Sequence, residues 1–309
     1  MAKPTVGILS IGDMGVGIAR LLLANNYHVV TSVSSRSEAT KERAQKANIA
    51  LVEKDGDLVD QADYILSIVP PRDALATARR IAFAKIELEK RKQPLYYVDL
   101  NAIAPRSSRQ IADIFQPFTE HVRFIDGGII GGPPAPKPDS PGEWRKPSLV
   151  VSGPHSLHDD RSGHGASLAS ILNMRHIANE IGPASGLKMC FASTTKGPTA
   201  IAIQSFTTAS RLGVLDELRA HLSNYSPMTG QLAEAGVKGM PSKAYRWVEE
   251  MRQIGETFEV DGGWGSETAI FPGAAALYEF VASVEGLGGE KGSEVEEVVH
   301  GLTTKLKKE

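Results

Sequence analysis

The sequence predicts an α/β domain built on a doubly wound, largely parallel sheet, followed by an all-helical domain. Three observations predict it. Short apolar runs alternate with helical patterns through the first part of the chain, the order that gives parallel strands joined by crossover helices. A glycine-rich turn lies between the first apolar run and the first helix. Beyond residue 182 the alternation stops, and apolar residues recur only at the three- and four-residue spacing of helix faces.

The elements follow in order. A first strand covers residues 4–9. Ser10-Ile11-Gly12-Asp13-Met14-Gly15-Val16-Gly17 then turns into a helix over 18–24. A second strand, 29–33, ends in the polar tip Ser34-Ser35-Arg36-Ser37. A helix over 38–48, a short strand over 49–52 and a brief polar helix over 57–61 come next. A buried strand over 64–69 is stopped by Pro70-Pro71, since proline cannot continue a ladder. A long helix is expected over 73–90, a strand over 96–100, a helix over 105–115, and a strand from 122 into Gly127-Gly128-Ile129-Ile130-Gly131-Gly132. The prolines of 133–147 read as a loop, 148–152 as a last strand, and 154–165 as a polar, flexible segment. Helices are expected over 184–222, 231–236, 242–257 and 273–284, with a charged tail that frays. The expected domains are 1–181 and 182–309.

Composition narrows the function. The chain has 309 residues, enough for two domains. Its 41% hydrophobic and 23% charged content is that of a globular protein. A net charge of −2 supplies no field for nucleic acid or an anionic membrane. One cysteine, Cys190, excludes a disulfide framework and a cysteine zinc cluster. No apolar run is long enough to span a bilayer, and no leader precedes the first strand, so a cytoplasmic location is expected. His155, His158 and His164 with Asp159 and Asp160 fit no ligand template, and no metal is expected.

A strand, a glycine turn, a helix and a second strand with a polar tip form the unit that binds a dinucleotide. Small residues let the backbone approach a pyrophosphate, and the helix start offers free N–H groups and partial positive charge. Gly12, Asp13, Met14 and Gly15 carry this role, although Ser10 stands where the first glycine usually does. About 20 residues past the glycines, NAD sites place an Asp or Glu on the ribose 2′-hydroxyl. Here that position is Ser35, flanked by Ser34 and Arg36. A guanidinium among hydroxyls suits a 2′-phosphate, so NADP (NADPH) is the expected cofactor.

These residues resemble the β-hydroxyacid dehydrogenase superfamily, the group that contains 6-phosphogluconate dehydrogenase. Gly12-Asp13-Met14-Gly15 matches its Gly-x-Met-Gly turn, and Val98-Asp99-Leu100-Asn101-Ala102-Ile103-Ala104-Pro105 resembles its segment beside the nicotinamide. Phe124-Ile125-Asp126-Gly127-Gly128-Ile129-Ile130-Gly131-Gly132 resembles its substrate segment. Gly182-Pro183-Ala184-Ser185-Gly186-Leu187-Lys188 matches the Gly-x-x-x-Gly-x-Lys stretch that carries its catalytic lysine. The run from Lys188 to Gly197 resembles a poorly characterised branch with an alternative helical C-terminal domain. The resemblance implies a Rossmann-type domain, a nicotinamide cofactor against Val69, Pro70 and Asn101, a substrate near Gly128, Ile130, Gly131, Gly132 and Ala192, and a homodimer through the helical domain.

Lys188 is the expected acid/base, because a buried lysine loses its proton closer to neutrality. Asn101 serves either as a ligand to substrate or cofactor or as a turn residue. Lys196 reads as structural, and Trp247 and Trp264 as core more than pocket. Three departures from the family set the substrate. Ala192 replaces an Asn four residues past the lysine, and Ile130 replaces a Ser. Pro133-Pro134 removes two further N–H donors. The expected function is hydride transfer between NADPH and a carbonyl or alcohol substrate less polar, and larger, than the usual β-hydroxyacids. The alternatives are an imine reductase and a non-catalytic NADP-binding sensor or scaffold.

Overall fold

The computed structural model describes residues 3–34, 37–84, 88–160, 162–287 and 294–306. The chain divides into two compact units, Met1–Met189 and Cys190–Glu309, and the division falls inside the helix Pro183–Arg211.

In the first unit the order is β1 (Thr5–Leu9), α1 (Asp13–Ala24), β2 (His28–Ser32), α2 (Glu38–Lys46), β3 (Ala50–Val52), α3 (Asp55–Gln61), β4 (Tyr64–Ser67), α4 (Ala74–Ala82), β5 (Leu95–Asp99), α5 (Pro105–Phe115) and β6 (Val122–Ile130). A ribbon of β7 (Ala135–Pro136) and β8 (Trp144–Arg145) follows, then β9 (Ser148–Ser152), α6 (His164–Ile171) and β10 (Met174–Ala178). The main sheet runs β10-β9-β6-β5-β4-β1-β2-β3.

The strands are apolar on both faces because helices cover both. Val6 and Ile8 of β1, Val29 of β2 and Val98 of β5 pack with Ile18, Leu21 and Leu22 of α1 on one side. Leu9, Val30, Ile65 and Tyr97 pack with Leu58, Ile81, Ile111 and Phe115 on the other. This is the doubly wound α/β fold that the alternation predicts.

The third strand pairing outward from the centre departs from parallel. β6 and β9 run antiparallel, with Gly128 opposite Val150 and Ile130 opposite Ser148. The proline-rich 133–147 connection contains a ribbon and no crossover helix, and a chain returning without a crossover pairs antiparallel. The edge strand β10 and the helix α6 have no counterpart in the sequence reading. β10 alternates half-buried and exposed residues through Arg175 and Ile177, so it lacks the apolar run of a central strand.

The second unit is helical. α7 (Pro183–Arg211) begins in the first unit and continues into it, followed by α8 (Leu215–Tyr225), α9 (Pro227–Gly239), α10 (Ala244–Glu256), α11 (Phe271–Ala282) and α12 (Val295–Leu306). The single long helix expected over 184–222 is two, because Gly213 turns the chain at φ +73 between them. The expected frayed tail is also a helix. Val295, Val298, Val299 and Leu302 bury one face of α12 at helical spacing. α10 packs on α11, where Trp247 and Tyr278 meet edge to face at 5.3 Å. Among the described residues, no helix is long and apolar enough to cross a membrane.

Candidate active site

The glycine turn connects β1 to α1. Ser10 takes the left-handed conformation at φ +81, one that glycine adopts more readily. Its carbonyl oxygen lies 2.1 Å from where a Cβ on Gly15 would stand, so only glycine fits there. Gly17 is filled from outside: Pro133 and Pro134 lie 3.0 Å from its Cβ position. The two prolines therefore brace α1, a packing role that the sequence reading did not give them. Gly12 is the N-cap of α1, makes no side-chain cap, and faces open space. The first turn of α1 thus keeps backbone donors with no side-chain partner at the cap, and Asp13 and Met14 flank it.

Arg43 of α2 donates from Nη1 to the Ile11 carbonyl at 2.8 Å, pinning the turn from the other side. Sequence reasoning passed over Arg43, which reads as an exposed charge on a polar helix. Ser34, at the tip of β2, donates its N–H to Ser32 Oγ at 3.4 Å. Ser35 and Arg36 lie outside the described residues.

The carboxyl ends of β4 and β5 are tied together by Asn101. Its Oδ1 accepts the Val69 N–H at 2.7 Å, and its Nδ2 donates to Asp99 Oδ2 at 2.9 Å and Ser67 Oγ at 3.1 Å. All of this is buried. The Asn101 side chain thus fixes the backbone at Val69, next to Pro70. Asp99 is wholly buried, and burial pushes its carboxyl up to about 7, with the nearby Asp126 charge adding and the Asn101 hydrogen bonds opposing.

Gly128 and Lys188 meet. A Cβ at Gly128 would stand 2.7 Å from Lys188 Cβ, so the glycine makes the room that the lysine occupies. Ile130 lies two residues further along β6, on the same face, half-buried. Gly131 (φ +119) and Gly132 are exposed beyond it. Lys188 is half-buried, and burial holds its amine below the ordinary lysine range. Ala192 lies one turn further along α7 and is buried.

The start of α7 is held by Asp126, a carboxylate 1% exposed in the middle of an apolar strand. Its Oδ2 accepts the N–H groups of Gly182 at 3.0 Å and Ser185 at 3.2 Å. The signal for it in the sequence is an Asp inside a β-prone run, where Asp is disfavoured.

Other singled-out residues lie elsewhere. Lys196 is ion-paired with Glu250 and sits 5.1 Å over the Trp247 ring. Trp264 is exposed, not core. Asp160 accepts from the Tyr64 hydroxyl at 2.5 Å and from Gly165 N–H at 3.0 Å, and Asp159 caps the turn at Ser156. Tyr64, Asp160, His155 and His164 line a cleft of about 800 Å³ at the amino ends of β4 to β6. That is the end of the sheet opposite the glycine turn and Lys188. Among the described residues no cluster of His, Cys, Asp or Glu could hold a metal ion.

Residues 5–91 match the family described as NADP oxidoreductase, coenzyme F420-dependent. Residues 209–281 match a domain of unknown function, DUF1932. An uncharacterised 28.5 kDa protein of Methanothermus fervidus is 27% identical over 218 residues, spanning 69% of this chain and 74% of its own. Among solved structures, the conserved protein MTH1747, described as structurally similar to 3-hydroxyacid dehydrogenases, is 23% identical with a TM-score of 0.61 over 90% of this chain and 96% of that one. The 3-hydroxyisobutyrate dehydrogenase of Salmonella typhimurium is 16% identical with a TM-score of 0.63, over 96% and 99%. An imine reductase from Myxococcus stipitatus, solved with NADP+, is 18% identical with a TM-score of 0.53, over 96% and 99%. Two segments of the chain thus match family models, one in the α/β unit and one in the helical unit, and the fold is shared with proteins described as 3-hydroxyacid dehydrogenase-like.

Proposed function

We propose that this protein is an NADPH-dependent oxidoreductase that moves a hydride between the nicotinamide and a carbonyl or alcohol carbon, with Lys188 as the acid/base. The observation that carries the reading is Lys188 itself, half-buried, seated on a glycine, its amine held below the ordinary lysine range by burial.

The residues present fit a dinucleotide. Gly15 leaves no room for a side chain beneath the turn, Gly12 opens outward, and the N-cap of α1 carries no side-chain cap. Gly12, Asp13, Met14 and Gly15 would hold the pyrophosphate, Ser34, Ser35 and Arg36 the 2′-phosphate, and the Val69-Pro70 backbone the nicotinamide side. A bound nicotinamide supplies or accepts the hydride. The chain's own part is the proton: as an ammonium, Lys188 donates to the oxygen of a carbonyl being reduced, and as an amine it takes that proton back in oxidation. The matched description, NADP oxidoreductase, supports the same cofactor.

Ile130 presents no hydrogen-bonding side-chain atom beside Gly128, so a small hydroxyacid would leave its carboxylate unpaired there, at a cost of about 1–3 kcal/mol or more. A less polar ketone fits better. An imine is the second reading, favoured by the same apolar position. Exposed apolar residues of the helical unit are proposed to meet a second copy of the chain.

The test is NADPH oxidation against ketones, ketoacids, cyclic imines and coenzyme F420. Turnover of an apolar ketone well above that of 3-hydroxyisobutyrate-like and 6-phosphogluconate-like acids is expected. Efficient use of a small hydroxyacid, about 10⁴ M⁻¹s⁻¹ or more, would overturn the substrate reading. No turnover on any arm, with tight NADPH binding, would favour a sensor.

A further inference from the structure

We propose that Asp126 is the positioning residue for Lys188: its carboxylate fixes the first turn of α7 on the sheet and so sets where the lysine stands. The inference rests on the reading of Lys188 as the acid/base.

The first turn of any helix has N–H groups without intrahelical acceptors. In α7 each of them is accounted for. The Gly182 and Ser185 N–H groups donate to Asp126 Oδ2, at 3.0 and 3.2 Å. Pro183 has no N–H. The Ala184 N–H donates to Ser152 Oγ at 3.0 Å, and that hydroxyl donates in turn to Asp126 Oδ2 at 2.9 Å. The Gly186 N–H reaches the Gly182 carbonyl at 2.7 Å. The Ser185 hydroxyl lies 3.3 Å from Oδ2 and 3.0 Å from the Gly182 carbonyl. On its other oxygen, Asp126 Oδ1 accepts the Ser108 hydroxyl of α5 at 2.7 Å. One carboxylate therefore joins β6, β9, α5 and α7.

The geometry makes this anchor specific to the lysine. Asp126 and Gly128 are two apart on β6, so both face α7. Ser185 and Lys188 are three apart on α7, so both face β6. Asp126 holds Ser185, and Gly128 receives Lys188. A helix fixed at two points on one strand neither slides nor rotates, and the depth of Lys188 against the sheet follows. A neutral side chain offers too few acceptors for this set of donors, and a carboxylate also complements the positive start of the helix.

The test reads Lys188 directly, without substrate. Competitive acetylation across pH, with the Lys188 peptide followed by mass spectrometry and the exposed Lys243 as internal reference, gives the titration midpoint of Lys188. In the unmodified protein it should lie below the ordinary lysine range. In Asp126→Asn it should rise toward that range, by on the order of one pH unit, as the helix start loosens and the amine hydrates. The pH–rate profile should move the same way. Ser152→Ala and Ser108→Ala each remove one partner and should give smaller rises. If Asp126→Asn does not fold by circular dichroism, those two variants decide. A lowered melting temperature with an unmoved midpoint in the folded variants would reduce Asp126 to a helix anchor and overturn the proposal. An unchanged rate in Lys188→Ala would instead overturn the acid/base reading and leave the labelling result standing.

Discussion

Burial lowers the proton affinity of Lys188. Removing the amine should therefore remove the proton transfer and little else. Lys188→Ala is expected to lower single-turnover NADPH oxidation by roughly two to four powers of ten, with cofactor affinity nearly unchanged. Arg36→Ala should act oppositely, erasing most of a tenfold to hundredfold preference for NADPH over NADH, as befits the loss of a charge-assisted contact contributing about 1.5–3 kcal/mol. Equal dissociation constants for both cofactors in the unmodified protein would remove the basis for that expectation. Asp99 gives a pH dependence. Its carboxyl stands at about 7 when folded, against about 4 in an unfolded chain. A raised acid contributes stability that is whole below about pH 4 and is lost as pH rises through about 7, at most roughly 4 kcal/mol. Urea unfolding from pH 4.5 to 8 should show this fall, and Asp99→Asn should flatten it. An equally steep fall in the variant would assign the dependence to other groups. Of the residues at this scale, the need for glycine at 15 was legible from type and spacing. The anchoring by Asp126 was not, because its partners at 108, 152, 182 and 185 come together only in the fold.

Elements with strong one-dimensional periodicity were read correctly in type. β1, β2, β4 and β5 are buried on both faces and appear as apolar runs. β10 was missed because an edge strand buries one face weakly, and α6 because its polar start merges with the loop before it. The end of the chain was misjudged for a related reason. Its charges suggest fraying, yet they lie on one side of a helix whose other side is core. Leu302 is 1% exposed on that side. Leu302→Ala should cost about 2–5 kcal/mol of stability, measured by denaturant unfolding. A change below about 0.5 kcal/mol, the level of a surface substitution, would return α12 to the status of a tail.

At the scale of the molecule, the helical unit exposes large apolar side chains. Tyr225 is 84% exposed, Met228 68% and Leu232 65%, close together along α8 and α9. Neighbouring exposed apolar residues of this size mark an interaction surface. A second copy of the chain is the proposed occupant, and sedimentation equilibrium should give twice the monomer mass at micromolar concentration. A monomer at that concentration, unchanged in mass by Met228→Lys with Leu232→Lys, would exclude the pairing.

Taken by itself, the sequence determined the order of strands and helices, the glycine turn and the lysine that follows a glycine-rich approach. Each depends on residues near one another in the chain, where period and spacing carry the information. The tertiary structure decided the antiparallel return of β9, the bracing of Gly17 by Pro133 and Pro134, and the engagement of Asn101 by Ser67, Val69 and Asp99. It also decided that Asp126 holds the helix carrying Lys188. These are contacts between segments tens of residues apart, and a buried donor or acceptor takes whichever partner the packed sheet brings within reach.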